Sequence, residues 1–213
     1  MRILFAAALS LLASLAQADN HARIQLLGDS LMATNVLTGR AIPNVIERAL
    51  GEDVENRSVT GAMIRGITRQ YRAGDFDWVI LNGGGNDLWL GCGCNECGPR
   101  LSKVITRDGR DGYLPDLVRR IRKDGARVIY VGYLRSPGFG SPIEHCLDEG
   151  NELEARVSRM ARGVDGVWLL SNKDLVPEGD KSFHAFDRIH PSVKGSRAIG
   201  NRVAAAIRQL DDL

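Results

Sequence analysis

The sequence shows little excess of charge of either sign. Its 28 lysines and arginines nearly balance 26 aspartates and glutamates, which leaves a formal net charge of +2 at pH 7. Proteins that bind nucleic acid usually carry clustered basic residues that neutralise phosphates, and this chain has no long basic run. Repeats, low-complexity tracts and linker-like segments are also missing from the sequence. These absences argue against a nucleic-acid partner and predict one compact domain.

Long apolar runs are missing as well, apart from one near the amino terminus. Residues 3–15 form that run, between Met1-Arg2 and the small-residue site Ala16-Gln17-Ala18. A basic start, a short apolar stretch and an A-x-A site are typical of a secretory signal peptide, and a membrane span needs about 20 residues. We expect a signal peptide over residues 1–18 and a single domain over 19–213. The protein is then periplasmic or secreted, without stable membrane insertion after cleavage; an uncleaved anchor is the alternative.

Cysteine is scarce, and its four copies are unevenly spaced. Cys92, Cys94 and Cys97 lie together in GCGCNECG, whereas Cys146 is alone. An even number of cysteines in an exported chain favours two disulfides, and the sequence does not choose among the three possible pairings. A zinc site built from the four thiolates and a thiol oxidoreductase using Cys94 and Cys97 are the alternatives. We expect disulfides that pin a loop, and neither a metal nor another cofactor.

Strand-like and helix-like segments alternate along the chain. The strand-like segments are apolar or β-branched and cover residues 24–27, 57–60, 77–82, 126–134 and 166–171. The helix-like segments have one apolar face or helix punctuation and cover residues 42–51, 114–125, 151–163 and 192–210. Alternation of this kind predicts an α/β three-layer sandwich with a central parallel sheet. The uninterrupted apolar strands are typical of a sheet buried on both faces.

Two predicted strands end in residues that could bind a ligand. Gly28-Asp29-Ser30 follows the first strand, and NGGGND follows the strand at 77–82. Ligands of parallel α/β sheets bind beyond the carboxyl ends of the strands, so both segments are expected at one edge. A plain turn or a helix N-cap is the alternative interpretation of Ser30.

The segment FDRIHPS near the carboxyl end contains a possible acid–base pair. Asp187 and His190 are three residues apart, so on a helical turn they would share a face. A carboxylate that accepts the Nδ1 proton leaves Nε2 of the imidazole free to activate a serine hydroxyl. The Gly61 backbone N–H, after the short strand at 57–60, and the Asn86 amide could stabilise an oxyanion. A surface pair and ordinary turn residues are the alternatives.

Together these residues resemble the SGNH, or GDSL, hydrolase family. The resemblance rests on Gly28-Asp29-Ser30-Leu31, Gly61, Gly84-x-Asn86-Asp87 and Asp187-x-x-His190, in that order. It implies a flavodoxin-like fold and hydrolysis of esters or thioesters without a metal. It also implies Ser30 as nucleophile, His190 as base and Asp187 as its orienting partner. The implied oxyanion hole is made by the N–H groups of Ser30 and Gly61 and the Asn86 side chain.

Some residues near these motifs fall outside the family pattern. Asp29, Asp87 and His184 are expected to have local hydrogen-bonding or surface roles. The cysteine-rich segment after Asn86 departs from the usual pattern and is expected to wall the substrate cleft. Trp89 and Leu90 could line an acyl pocket or belong to the core under a loop.

The sequence therefore predicts an exported serine hydrolase that cleaves carboxylic esters or thioesters through an acyl-serine intermediate. An esterase, a thioesterase or a lysophospholipase fits this expectation, with a small-molecule, lipid or carbohydrate ester as substrate. The alternatives are a carbohydrate O-acetylesterase, an acyltransferase, and a non-catalytic binding protein on the same fold. The natural substrate, the acyl chain length, the disulfide connectivity and the oligomeric state are left open.

Overall fold

The computed structural model describes residues 22–138 and 140–212. The predicted signal peptide lies outside the described residues. In the described part of the chain, every helix is too short or too polar to cross a membrane.

A sheet of five parallel strands forms the centre of the described chain. The strands are β1 (Ile24–Leu27), β2 (Val54–Asn56), β3 (Trp78–Leu81), β4 (Arg127–Val131) and β5 (Val167–Leu170). Their order is β2-β1-β3-β4-β5, which is the flavodoxin-like order. The chain leaves β1 toward one edge and returns at β3 on the other side of β1, so the topological switch point lies between β1 and β3.

Helices cover both faces of the sheet. They are α1 (Ser30–Ala33), α2 (Ile42–Leu50), α3 (Ile64–Ile67), α4 (Gly85–Cys92), α5 (Gly98–Val104), α6 (Tyr113–Lys123), α7 (Leu147–Gly163) and α8 (Val193–Asp211). Alternate strand residues enter two separate cores: Val79 and Leu81 pack with α3 to α7, whereas Trp78 and Ile80 pack with α1, α2 and α8. The predicted α/β three-layer sandwich with a central parallel sheet is confirmed.

Two of the predicted helices have the expected ends. Pro43 lies in the first turn of α2, and Gly51 ends the helix with φ +73°. The Ser192 hydroxyl accepts a hydrogen bond from the Gly195 N–H at 3.1 Å and caps α8. The signals of a proline near the start, a glycine after the end and a serine N-cap therefore located these helices correctly.

The predicted strand at residues 57–60 is wrong, because β2 ends before it begins. The Asn56 side chain accepts hydrogen bonds from the Ser58 N–H at 3.1 Å and from its hydroxyl at 2.7 Å. Such a local turn competes with continued strand geometry. The N–H groups of Arg57 and Val59 still bond to the carbonyls of Leu26 and Gly28, so this segment follows β1 without being a regular strand.

The cysteine-rich segment is largely helical, which corrects the prediction of a loop. Most of it belongs to α4 and α5, because Leu88, Leu101 and Val104 face the core and are buried. The two disulfides are Cys92–Cys97 and Cys94–Cys146. All four thiols are used in this way, so a four-thiolate zinc site and a redox pair of Cys94 with Cys97 are both excluded.

Candidate active site

Ser30 is the first residue of α1, directly beyond the carboxyl end of β1. The backbone that leads to it is held by Gln70, which accepts a hydrogen bond from the Gly28 N–H at 2.8 Å and donates one to the Gly28 carbonyl at 2.9 Å. A Cβ on Gly28 would lie 1.9 Å from Oδ1 of Asn82. Only glycine fits at this position, and the turn that presents Ser30 is therefore tightly defined.

Asp29 is buried, with 1% of its surface exposed, and it organises this turn. Its Oδ1 accepts hydrogen bonds from the Leu31 N–H at 2.9 Å and from Nδ2 of Asn82 at 3.1 Å. Its Oδ2 accepts one from the Tyr133 hydroxyl at 2.5 Å. Burial raises the pKa of Asp29, and the hydrogen bonds from Tyr133, Leu31 and Asn82 oppose that rise. This is the local hydrogen-bonding role expected from the sequence.

Asn86 lies in the first turn of α4, beyond the carboxyl end of β3. Its Nδ2 donates a hydrogen bond to the Ala62 carbonyl at 3.1 Å, which holds the amide beside the turn that contains Gly61. One N–H of that amide is left for a ligand. Gly61 has φ +77°, and within the described residues neither its N–H nor that of Ser30 donates a hydrogen bond to the protein.

Asp87 fixes the same turn from the other side. Its Oδ2 accepts a hydrogen bond from the Ile64 N–H at 2.7 Å, and its Oδ1 lies 3.8 Å from Nε of Arg100. Burial raises the pKa of Asp87, although the Ile64 N–H and the Arg100 charge oppose the rise. Asp87 thus has the local hydrogen-bonding role that the sequence led us to expect.

Asp187 and His190 form a hydrogen-bonded pair within a turn. Oδ2 of Asp187 lies 2.6 Å from Nδ1 of His190, and Oδ1 accepts hydrogen bonds from the N–H groups of Ile189 and His190, each at 3.0 Å. The expected helical turn is wrong, since Arg188 has φ +58° and the segment is irregular. Burial pushes the pKa of Asp187 upward, but the hydrogen bonds from the His190 ring and from the two N–H groups outweigh it and lower the pKa.

One cavity brings the predicted site residues from the two ends of the chain together. It has a volume of about 110 Å³, and Ser30, Asn86 and His190 all line it. Gly61 does not line it. Within the described residues, no hydrogen bond joins the Ser30 hydroxyl to the His190 ring, which is common in sites without substrate. Because His190 Nδ1 faces Asp187, Nε2 is the ring nitrogen left to act as a base.

The remaining lining of the cavity is mainly apolar, and part of it comes from the cysteine-rich segment. Trp89, Cys94 and Cys146 line the cavity, so the segment does wall the cleft. Leu90 is 57% exposed and does not line the cavity. Both interpretations offered for Leu90 are wrong, whereas the pocket interpretation is correct for Trp89.

Tyr133 is a residue of the candidate site that the sequence analysis missed. It lines the cavity, and its hydroxyl accepts a hydrogen bond from the Gly85 N–H at 3.0 Å while donating to Asp29. It therefore connects the turn before Ser30 with the helix start that carries Asn86. Burial and the nearby Asp29 charge raise the pKa of Tyr133 well above its usual value. The available signal was its position just after β4, at the same edge of the sheet.

His184 departs from both roles expected for it. Its side chain is buried, and neither ring nitrogen has a hydrogen-bond partner among the described residues. Burial lowers its pKa, while the nearby Asp187 carboxylate opposes this shift. Its backbone pairs with Pro191 in a short antiparallel bridge, so His184 packs beneath the turn that presents His190.

A hydroxyl, an amide and an imidazole paired with a carboxylate, at the edge of a parallel α/β sheet, form an arrangement typical of ester hydrolases. The sequence profile of the GDSL-like Lipase/Acylhydrolase family matches residues 26–198. The chain belongs to that family, as the resemblance to the SGNH hydrolases predicted. A comparison with curated protein sequences gave no match.

Solved structures with the same fold come from several bacteria. The lipase/acylhydrolase from Enterococcus faecalis is 18% identical with a TM-score of 0.67, over 89% of this chain and 97% of that one. The psychrotrophic esterase EstA from Pseudoalteromonas sp. is 17% identical with a TM-score of 0.61, over 89% and 98%. A family 3 carbohydrate esterase from Clostridium thermocellum is 17% identical with a TM-score of 0.60, over 89% and 96%.

Proposed function

We propose that this protein is an exported serine hydrolase that cleaves carboxylic esters or thioesters through an acyl-serine intermediate. The observation that carries the proposal is the single cavity lined by Ser30, Asn86 and His190. The Asp187 carboxylate, 2.6 Å from Nδ1 of His190, supports the role of the imidazole as the base.

The reaction proceeds in two steps, acylation of Ser30 and hydrolysis of the acyl-serine. Nε2 of His190 takes the hydroxyl proton as Oγ of Ser30 attacks the substrate carbonyl, and Asp187 stabilises the imidazolium through Nδ1. The oxyanion is stabilised by the Asn86 amide and by the N–H groups of Ser30 and Gly61. The alcohol or thiol leaves with the proton from His190. Water then attacks the acyl-serine by the same route, which releases the carboxylic acid and restores Ser30.

The disulfides support a location outside the cytoplasm. Two disulfides join all four cysteines of the chain, and such bonds persist in oxidising compartments. Together with the amino-terminal sequence pattern, they favour a periplasmic or secreted protein. Sequencing of the mature amino terminus after expression with export should give Asp19 as the first residue; a retained Met1 would contradict export by cleavage.

Acetyl-ester hydrolysis on carbohydrates is a second candidate function. The cavity volume of about 110 Å³ is well below the roughly 300–1,000 Å³ of sites that bind drug-sized ligands, and an acetyl group fits in it readily. The fold similarity to the Clostridium thermocellum carbohydrate esterase also supports this candidate. Release of acetate from acetylated xylan, compared with release from p-nitrophenyl acetate, distinguishes a carbohydrate substrate from a general ester.

A fluorophosphonate probe tests the proposed nucleophile directly, since it reacts only with an activated serine. One EstA structure is of the enzyme inhibited by monoethylphosphonate, which supports this choice of probe. We expect labelling of the native protein and its loss in Ser30→Ala and His190→Ala. Ser58→Ala and His145→Ala are controls outside the cavity and should be labelled normally. Labelling that persists in Ser30→Ala would refute the assignment.

A further inference from the structure

The part of the cavity lining that comes from α4, α7 and the segment before α7 is suited to an aliphatic chain. Its apolar side chains are Leu88, Trp89, Ile143, Leu147 and Leu153. Among the described residues, Arg135 is the one lysine or arginine in the lining, and its guanidinium lies 2.9 Å from Oε2 of Glu154. Because that charge is already paired, the cavity has no free cation for an anionic substrate group.

The Cys94–Cys146 disulfide forms part of the cavity wall. Both cysteines line the cavity, and the bond joins the turn after α4 to the start of α7 across a Cα–Cα distance of 5.0 Å. The Cys92–Cys97 disulfide lies elsewhere: Cys97 is fully buried in the core, and neither of its cysteines lines the cavity. The two disulfides are therefore close in sequence, but only Cys94–Cys146 lines the cavity.

The Cys94–Cys146 disulfide is one of the attachments of the segment between β4 and α7, beside the hydrogen bonds of Tyr133 to Gly85 and of Arg135 to Asn151 and Glu154. The described residues of this segment contain no strand or α-helix, and the segment contributes Ile143 and Leu134 to the lining. Hydrogen bonds between Ser141 and the Arg188 carbonyl (2.8 Å) and between Arg188 and the Gly140 carbonyl (3.0 Å) attach it on the His190 side. On the α4 side, its covalent attachment is the Cys94–Cys146 disulfide.

We propose that the Cys94–Cys146 disulfide determines acyl-chain specificity by holding in place the cavity wall between α4 and α7. The proposal rests on the proposed hydrolase function. With the wall held by this bond, the cavity of about 110 Å³ accepts short acyl chains and excludes long ones. Without it, the segment that carries Ile143 moves away from α4 and longer chains enter.

The test uses p-nitrophenyl esters of acetic, butyric, hexanoic, octanoic and decanoic acids, below the concentrations at which they form micelles. We expect kcat/KM of the native protein to fall at least tenfold from the butyryl to the octanoyl ester. In Cys94→Ala/Cys146→Ala, the octanoyl-to-butyryl ratio should rise at least about tenfold, which is the lower end of what even a single methylene is worth in a hydrophobic pocket. The matched control, Cys92→Ala/Cys97→Ala, should keep the native ratio. An equal shift in both double variants, or none in either, would overturn the proposal.

A second variant narrows the cavity and does not depend on a disulfide. Gly150 lines the cavity within α7, and nothing lies within 4 Å of the position its Cβ would take. Gly150→Leu should lower the butyryl-to-acetyl ratio about tenfold without loss of thermal stability, since glycine is unfavourable in helices. Gly163→Leu, at the exposed end of α7, is the control. If the cysteine variant does not fold, an unchanged ratio in Gly150→Leu overturns the proposal.

The same measurements separate this proposal from the hydrolase assignment. If the native protein hydrolyses none of the esters and the fluorophosphonate does not label Ser30, the proposed function has failed. If the native protein hydrolyses the octanoyl and butyryl esters equally well, the function stands and the wall proposal is wrong.

Discussion

Replacement of Tyr133 by phenylalanine removes a single oxygen that connects two strand exits. The aromatic ring, which lines the cavity, is kept. The hydroxyl donates to Oδ2 of Asp29 and accepts from the Gly85 N–H. The other two side-chain hydrogen bonds of Asp29 both reach Oδ1. In Tyr133→Phe, Oδ2 of Asp29 is therefore buried without a donor, and α4 is no longer tied to the turn before Ser30.

The size of the effect follows from these contacts. A hydrogen bond to a charged group contributes about 1.5–3 kcal/mol, and 1.36 kcal/mol corresponds to a factor of ten in rate. If the whole free energy of this hydrogen bond were lost from the transition state, kcat would fall roughly ten- to hundredfold. Because Asn82 and Gln70 still hold the turn, we expect the lower limit, about a tenfold fall in kcat. KM for p-nitrophenyl butyrate should change less than twofold, since the ring remains.

The pH dependence of stability gives a second readout. Burial raises the pKa of Asp29 above its ordinary value of 3.8, and the Tyr133 hydrogen bond opposes the rise. A raised pKa means that the contribution of Asp29 to stability is full below that ordinary value and is lost as the pH rises through the folded-state pKa. Without the hydroxyl, the pKa rises further. The loss of stability in Tyr133→Phe should therefore be larger at pH 8 than at pH 4, as measured by urea denaturation.

Tyr130→Phe is the matched control for this prediction. Tyr130 lies on β4, the strand that precedes Tyr133. Its buried hydroxyl donates to the Gly83 carbonyl at 2.6 Å, and it does not line the cavity. Its removal should lower the free energy of unfolding and leave kcat unchanged. The reasoning fails if both variants lower kcat equally, or if Tyr133→Phe retains the native kcat.

Two further predictions concern stability. Burial lowers the pKa of His184 below its ordinary value of 6.5, so the contribution of His184 to stability is present above pH 6.5 and is lost as the pH falls. In urea denaturation, the free energy of unfolding should therefore fall less between pH 8 and pH 5 in His184→Phe than in the native protein. An equal fall in both would contradict this prediction. A Cβ on Gly200 would lie 2.6 Å from Cβ of Val45, where α8 meets α2, so Gly200→Ala should lower the free energy of unfolding by about 1–3 kcal/mol. Gly163→Ala, with open space around it, should lose nothing, and equal effects in the two glycine variants would refute the packing argument.

The fold could be predicted largely because its signals are local. Buried strands such as Trp78–Leu81 are continuous apolar runs, and α2 and α8 have proline, glycine and serine at their ends. The end of β2 could not be predicted in the same way, because it depends on the Asn56 side chain turning onto Ser58. The helix α4 was missed because its two glycines and its cysteine are weak helix formers, and tertiary packing of Leu88 stabilises it instead.

The candidate site was less accessible to sequence reasoning where it depends on long-range contacts. Ser30, Asn86 and His190 could be proposed because each lies in a short motif with its own chemical signal. The link from Tyr133 to Asp29 spans 104 residues and has no such motif. The disulfide pairing was open for the same reason, since Cys94 and Cys146 are 52 residues apart and only the packing of α7 against α4 brings them together.

The two proposals, on catalysis and on chain-length selection, involve the same helix, α4. The switch point between β1 and β3 brings the exits of these neighbouring strands together. Ser30 follows one strand, and Asn86 lies in the first turn of α4 after the other. At a rise of about 1.5 Å per residue, the six residues from Asn86 to Cys92 span about 9 Å, and the turn after α4 carries Cys94. The helix that presents the proposed oxyanion donor therefore also sets how far the cavity wall lies from the reacting carbonyl. A change that shifts α4 along its axis must alter both the rate and the preferred acyl length, whereas a change in Ile143 should alter the acyl preference alone.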